Sequence, residues 1–294
     1  MMLFGSDHFS VEDTALDAAN GKWSSTRAGY YEDKYISSFL DLKRRLLPHQ
    51  NLGYFIRNSF FRKVLHNFFS VYGFESQVVV LGCGYDTLFW LLNDENIKFK
   101  HWFDLDKENV INFKKKIISS DLFQPLENYH VECIDFNNTN LDFVSILSEF
   151  EQLPTVFIDE FSLIYCEYET TQNIIKLIAS NKDWHLASYG MVQPEDEFGQ
   201  LVQESFIKLK IPLKSYKFTA SVQETDNVYI KAGFNSVRSL DSELMLKLFF
   251  TKTERDRFLS LEYFDDPKEL FYLLRHYCAI VAGNDQFVSI LPEI

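Results

Sequence analysis

The chain has few cysteines, few bases and no long hydrophobic run. Its four cysteines, at 83, 133, 166 and 278, form no Cys-x-x-Cys pair. Neither a disulfide framework nor a zinc site is expected from them; they read as reduced, mostly buried thiols of an intracellular protein. Eleven glycines and seven prolines in 294 residues exclude a collagenous or low-complexity chain. Lysine and arginine total 29 against 42 acidic residues, a net charge of -13. A field of that sign repels phosphate backbones, so no nucleic-acid partner is expected. No apolar run approaches the roughly 18 residues that span a membrane. The opening Met1–Asp7 lacks the basic and apolar regions of a signal peptide. A cytoplasmic protein, also nuclear by the same reasoning, is expected, with no membrane partner. Seven histidines show no His-Glu-x-x-His spacing, and there is no Gly-x-Ser-x-Gly elbow or phosphate-binding Gly-x-x-x-x-Gly-Lys loop.

What is present is apolar residue in quantity, 46% hydrophobic and 16% aromatic, enough for a large core. Tyr31, Tyr35, Phe39, Leu42 and Leu46 recur at helical spacing and predict a helix over 30–47 stopped by Pro48; a second is predicted over 54–72. Strand 78–81 then runs into Gly82-Cys83-Gly84. Helix 87–92, strand 98–105, helix 107–118, strand 129–134, helix 141–150, strand 155–158, helix 168–180 and strand 184–188 follow. Strands alternating with helices imply right-handed crossovers and a mainly parallel α/β sheet. Beyond Gly190 a helix is predicted at 198–210, an irregular stretch at 211–227, and antiparallel strands from Phe234–Leu240 and Phe271–Val281. One domain over 1–294 is expected: a helical cap (1–76), a binding core (77–190), and a substrate-side insertion with C-terminal strands (191–294).

The turn Leu81-Gly82-Cys83-Gly84-Tyr85-Asp86-Thr87 joins the first strand to the first helix. Glycines there allow a tight turn and close approach of a ligand to the backbone, although many strand–helix turns use glycine for structure alone. The second strand ends in Asp104-Leu105-Asp106, and Asp106 suits ribose hydroxyls in the same crevice. Thr87 replaces the third glycine of dinucleotide sites, and Asp86 would repel a diphosphate at the helix start. S-adenosylmethionine, which has no phosphate and carries a sulfonium and an ammonium, fits better than NAD. Asp135 and Phe136 end the third strand, where an acid can bind an adenine amino group and an aromatic can pack on the ring. Asp159 and Glu160 end the fourth, over the crevice.

These residues resemble the leucine carboxyl methyltransferases over roughly residues 11–284. The likeness is carried by Asp13-Thr14 with Lys22, Gly29-Tyr30, Gly53-Tyr54-Phe55-Ile56-Arg57, the glycine turn through Trp90, Asp106, Asp135, Leu153 to Tyr165, Phe198-Gly199-Gln200 and Arg275-His276-Tyr277-Cys278. The resemblance implies a Rossmann-like class I methyltransferase sheet and S-adenosylmethionine as cofactor. It also implies esterification of the C-terminal leucine of protein phosphatase 2A catalytic subunits, the protein partner. Position by position, Lys22 and Arg57 match bases near the donor's carboxylate. Gly82, with Gly84 in the same turn, lies under the donor, Asp106 binds ribose, Asp135 and Phe136 take adenine, and Glu160 lies near the donor's amino group. Two positions depart from relatives: Tyr189-Gly190, where an acid commonly follows the tyrosine, and Asp196-Glu197-Phe198-Gly199, where a base is common.

A peptide α-carboxyl has a pKa of about 3.3–3.7 and is anionic at pH 7, so no general base is expected. Tyr165 and Arg275 are the candidates for holding the acceptor carboxylate. No metal is expected. His276 reads as packed or hydrogen-bonded structure, Lys114-Lys115-Lys116 as a solvated helix face, and the chain as a monomer. The other readings are a family member acting on a transfer-RNA or small-molecule carboxylate, a non-catalytic phosphatase-binding protein and, least suited, an NAD-dependent oxidoreductase.

Overall fold

Short valine-, leucine- and phenylalanine-rich runs supply the centre of the molecule. The computed structural model describes residues 10–124, 126–137, 152–216 and 221–292. Seven strands form one sheet: β1 (Gln77–Leu81), β2 (His101–Asp106), β3 (Tyr129–Cys133), β4 (Thr155–Glu160), β5 (Trp184–Met191), β6 (Ser236–Asp241) and β7 (Tyr277–Gly283), in the order β3-β2-β1-β4-β5-β7-β6. β1 pairs in parallel with β2 and β4, with Val79 opposite Phe103 on one side and Phe157 on the other. All five residues of β1 are buried, as a strand covered on both faces requires. β7 is antiparallel to β5 and β6, with Ala187 opposite Val281.

Helices cover both faces. On one lie α1 (Asp13–Arg27), α2 (Pro48–Tyr72), α3 (Leu88–Asp94) and α4 (Glu108–Ile118), with Phe55, Phe60, Phe68, Trp90 and Trp102 in their core. On the other lie α5 (Tyr168–Ala179) and α7 (Val222–Ala232), packing Ile174, Ile178 and Tyr229 on Val79, Leu81 and Phe157. α6 (Glu197–Lys208) rests on a smaller cluster with Met191 and Tyr216. The short α8 (Ser242–Leu248), α9 (Lys252–Leu259), α10 (Pro267–Leu274) and α11 (Asp285–Val288) complete the C-terminal part. None of the described helices is long and apolar enough to cross a membrane.

The structure departs from the expected elements at four places. Residues 30–47 are not a helix but a strap with one 3₁₀ turn, Ile36–Phe39. Asp33 diverts it: its Oδ1 accepts the amides of Tyr35 and Ile36 (2.8 and 3.0 Å), and its Oδ2 accepts the Thr87 hydroxyl at 2.6 Å. Pro48 does not stop a helix; it occupies the first turn of α2, where a missing amide proton costs nothing. Residues 222–232, expected irregular, form α7, capped by the Ser221 hydroxyl on the Glu224 amide. Within 271–281, only residues from Tyr277 are strand; Asp266 and Pro267 start α10 ahead of it. The helix expected at 141–150 lies outside the described residues.

Two local arrangements bear on later sections. In α1, Asn20, Ser24 and Ser25 spend their side chains on neighbouring chain: Asn20 pairs with both backbone groups of Arg44 (3.0 and 2.8 Å), Ser24 accepts the Leu46 amide and Ser25 donates to the Asn51 carbonyl. On β5, His185 is fully buried between the stacked rings of Tyr72 and Phe287 (centroids 5.3 and 4.8 Å), and among the described residues neither ring nitrogen has a hydrogen-bond partner.

Candidate active site

The carboxyl ends of β1, β2 and β4, with the segments that follow β3 and β4, open into one cavity of about 480 Å³. This volume lies in the range of small-molecule sites. α1 and α2 wall it on one side; α6 and α10 close it on another. Lys22, Arg57, Gly82, Gly84, Asp106, Asp135, Phe136, Glu160 and Tyr165 all line it, so sequence reasoning and the resemblance together placed nine residues around one space.

At its centre lies a buried charge cluster. Lys22 Nζ binds Asp86 Oδ1 at 2.5 Å and Glu160 Oε2 at 2.8 Å; Arg57 Nε binds Glu160 Oε1 at 2.6 Å and its Nη2 donates to the Glu160 carbonyl at 3.2 Å. The Arg57 guanidinium is flanked by the rings of Tyr54 and Phe161, 5.6 and 5.4 Å to their centroids. Burial alone would lower the Lys22 pKa, but the Asp86 and Glu160 carboxylates raise it above its ordinary value. Burial works against ionised Asp86 as well, yet Lys22 beside it holds its carboxyl below the usual range. Two cations facing two anions make the cluster neutral overall.

Next to it, Asp106 accepts the Gly84 amide at 2.7 Å through Oδ2 and the Lys107 amide at 2.7 Å through Oδ1. Burial raises its pKa despite those two donors. Each oxygen keeps a lone pair for a ligand hydroxyl. Gly82 has φ +71°, and a Cβ there would stand 2.4 Å from Ser162 Cβ. The close approach that demands glycine therefore comes from Ser162 after β4, not from the cavity side. Ser162 is fixed by Asp159, whose carboxylate also takes the Leu163 amide and the Ser188 hydroxyl. Of the two acids at the β4 tip, Asp159 is thus structural and Glu160 faces the cavity.

Two residues are not where the sequence suggested. Arg275, proposed as a carboxylate holder, does not line the cavity; it is 53% exposed and ion-paired with Glu243. Tyr165 does line the cavity, with its hydroxyl engaged by Thr14. Lys114, read as part of a solvated face, is fully buried, with Nζ 2.6 Å from Asp104 Oδ2. Asp104 also accepts Trp102 Nε1 (2.8 Å) and the Tyr129 hydroxyl (2.5 Å), while Lys115 and Lys116 are exposed. Charge runs carry no mark of the helical face they occupy, which is why a tripeptide of lysines concealed one core residue. Lys114→Ala should cost about 3–5 kcal/mol in urea unfolding because it strands a buried carboxylate; a midpoint equal to that of Lys115→Ala would contradict this.

His276 is fully buried, with Nε2 2.7 Å from Asp196 Oδ2 and Nδ1 2.9 Å from the Tyr272 carbonyl. Asp196 caps α6 through the Gly199 amide at 2.8 Å and ties that helix to His276. Glu197 is exposed, and Gly190 sits in β5 opposite Cys278. Sequence reasoning assigned no site role to Met191, Phe198, Val202, Phe206, Leu270 and Leu273, nor to Tyr54, Tyr189 and Tyr277, all of which line the cavity. No motif gives such residues a site role; only the fold brings them together.

A sheet ordered 3-2-1-4-5-7-6 with a reversed β7, and a glycine turn and acidic strand tips over one cavity, defines a class I methyltransferase fold. Solved structures agree. One titled a putative methyltransferase from Thermobifida fusca matches with TM-score 0.55 and 11% identity, covering 94% of this chain and 95% of that one. A duf574 family protein from Streptomyces avermitilis matches with TM-score 0.51 and 11% identity, covering 95% of this chain and 93% of that one. The leucine carboxyl methyltransferase family model matches residues 13–179, and the chain belongs to that family. It is similar to leucine carboxyl methyltransferase 1 of Caenorhabditis elegans, 28% identical over 94% of this chain and 92% of the relative, and to that of Rattus norvegicus, 27% identical over 92% and 89%. It is also similar to human tRNA wybutosine-synthesizing protein 4, 23% identical over 95% of this chain but only 45% of that protein.

Proposed function

We propose that this chain is an S-adenosylmethionine-dependent carboxyl O-methyltransferase that esterifies the C-terminal leucine α-carboxylate of protein phosphatase 2A catalytic subunits. The observation that carries the reading is the neutral Lys22–Asp86–Glu160–Arg57 cluster sharing one cavity with an apolar wall. The methionine end of the donor is a zwitterion, and the cluster presents two charges of each sign to it. Arg57 and Lys22 are placed for its carboxylate, Glu160 and Asp86 for its ammonium. Asp106 has free lone pairs for ribose hydroxyls, while Asp135 and Phe136 lie in the same cavity for adenine. Bound there, S-adenosylmethionine would supply an electrophilic methyl group.

The chain's own residues position the acceptor and keep it dry. A peptide α-carboxylate is already ionised at neutral pH, and burial holds the cavity tyrosines Tyr54 and Tyr165 above the ordinary phenol pKa, so none is a base at pH 7. Met191, Phe198, Val202 and Phe206 suit a leucine side chain and exclude water from charges that are neutralised on ester formation. Alignment of two reactants can remove up to about 7–11 kcal/mol of barrier.

The test is incubation with radiolabelled S-adenosylmethionine and a folded phosphatase 2A catalytic subunit, with and without its C-terminal leucine. Label that requires the leucine and is released by mild alkali is expected. Absence of label, with donor binding confirmed by calorimetry, would sink the substrate assignment and leave the methyltransferase class standing.

A further inference from the structure

With Arg275 outside the cavity, the acceptor carboxylate needs other partners. Lys22 and Arg57 are bound to Glu160 and face the donor end. Five tyrosines line the cavity. Tyr189 shares its hydroxyl with Ser242 at 2.6 Å, Tyr165 is engaged by Thr14, and Tyr85 lies at the Asp106 end. Tyr54 and Tyr277 remain, and among the described residues neither hydroxyl has a hydrogen-bond partner.

Both lie by the Arg57 side of the cluster. The Tyr54 ring flanks the Arg57 guanidinium, and Tyr277, at the start of β7, is in the field of both Tyr54 and Arg57. Burial, with Tyr54 beside it, pushes the Tyr277 phenol up to about 12, so it stays a donor at any working pH. Tyr277 packs against Phe161 and Tyr189, with centroids at 6.3 and 6.4 Å. Tyr54 is held from the opposite side by α1: a Cβ on Gly21 would stand 2.1 Å from its Cε2 and Cζ. Glycine in a helix interior costs roughly 0.5–1 kcal/mol against alanine. The helix carries that cost at the one position where the Tyr54 ring needs the space.

We propose that the hydroxyls of Tyr54 and Tyr277 hold the acceptor carboxylate by hydrogen bonds, fixing one oxygen while the other faces the donor methyl. This rests on the carboxyl-methyltransferase reading and supplies its missing specificity element. A carboxylate accepts from both phenols; an ester of the same group has lost the charge that makes those bonds strong, so product is released. No proton changes hands: a carboxylate and a methylsulfonium give a neutral ester and a neutral thioether.

The test is equilibrium binding of N-acetyl-leucine and its methyl ester to the protein loaded with S-adenosylhomocysteine. The parent should prefer the carboxylate by roughly tenfold to a hundredfold, the range of hydrogen bonds to a charged group. Tyr54→Phe and Tyr277→Phe should each reduce the preference, and the double variant should abolish it. Phenylalanine keeps both rings packed, so affinity for S-adenosylhomocysteine should stay within about twofold. A parent with no preference, or a double variant that retains it, overturns the assignment. The readout uses no phosphatase and no methyl transfer, so failure to label a phosphatase is a separate result.

Discussion

Glu160→Ala should eliminate measurable donor binding and lower stability by about 3–5 kcal/mol, the cost of stranding a buried charge. Glu160 holds Lys22 with one oxygen and Arg57 with the other. Without it, Asp86 alone faces two cations, and one buried positive charge is unmatched. A general loss of fold is separable from this by a second change. Glu160→Ala with Lys22→Met restores the count of charges to one of each sign, and should recover part of the stability while binding stays absent. Urea unfolding with an unchanged slope would report the first quantity and calorimetry with S-adenosylhomocysteine the second. A Glu160→Ala protein with the parent's midpoint and affinity would mean that the cluster is neither structural nor part of a donor site.

Acid should destabilise the protein through His185 before most carboxylates protonate. Burial between Tyr72 and Phe287, opposed only weakly by the Asp183 field, lowers its pKa from 6.5 to about 4. The unfolded chain then binds more protons than the folded one across that interval, so stability rises with pH there. The contribution is complete above about pH 6.5 and is lost as the pH falls to about 4. The interval corresponds to roughly 3 kcal/mol at 1.36 kcal/mol per unit. The stability of His185→Leu should fall less steeply than that of the parent between pH 6.5 and 4. Parallel curves for parent and variant in denaturant titrations would rule out His185 as the source of the slope.

The strands and their acidic tips were legible because both follow from local pattern: short β-branched and aromatic runs, a glycine turn after β1, and an acid at or just past the carboxyl ends of β2, β3 and β4. Their meeting over one cavity follows from the handedness of parallel crossovers. Lys22 and Arg57 came only from family resemblance, since a base on a helix looks the same whether it faces water or a buried acid. The strap at 30–47 imitates a helix because Tyr31, Tyr35 and Phe39 all need burial; one carboxylate, Asp33, decides the backbone instead. Arg275 reads as a site residue because it falls in the Arg-His-Tyr-Cys run that carries the resemblance, and nothing in that run tells a base facing the cavity from one facing solvent. Its residues go different ways: Arg275 to the surface, His276 to Asp196, Tyr277 to the cavity and Cys278 to the core.

The composition of α1 has a dynamic consequence. Asn20, Gly21, Ser24, Ser25 and Thr26 fill the second half of a 15-residue helix with poor helix formers. Such a segment has little helical order of its own and is held by what it touches: Arg44, Leu46, Asn51, the Tyr54 ring and the acids that bind Lys22. This same helix walls the cavity. Its local unfolding therefore has to break those contacts together, an event measurable as amide hydrogen exchange. Any occupant that grips Lys22, Asp86 or Glu160 also tightens the helix that encloses it, so residence in the site and order in α1 rise and fall together.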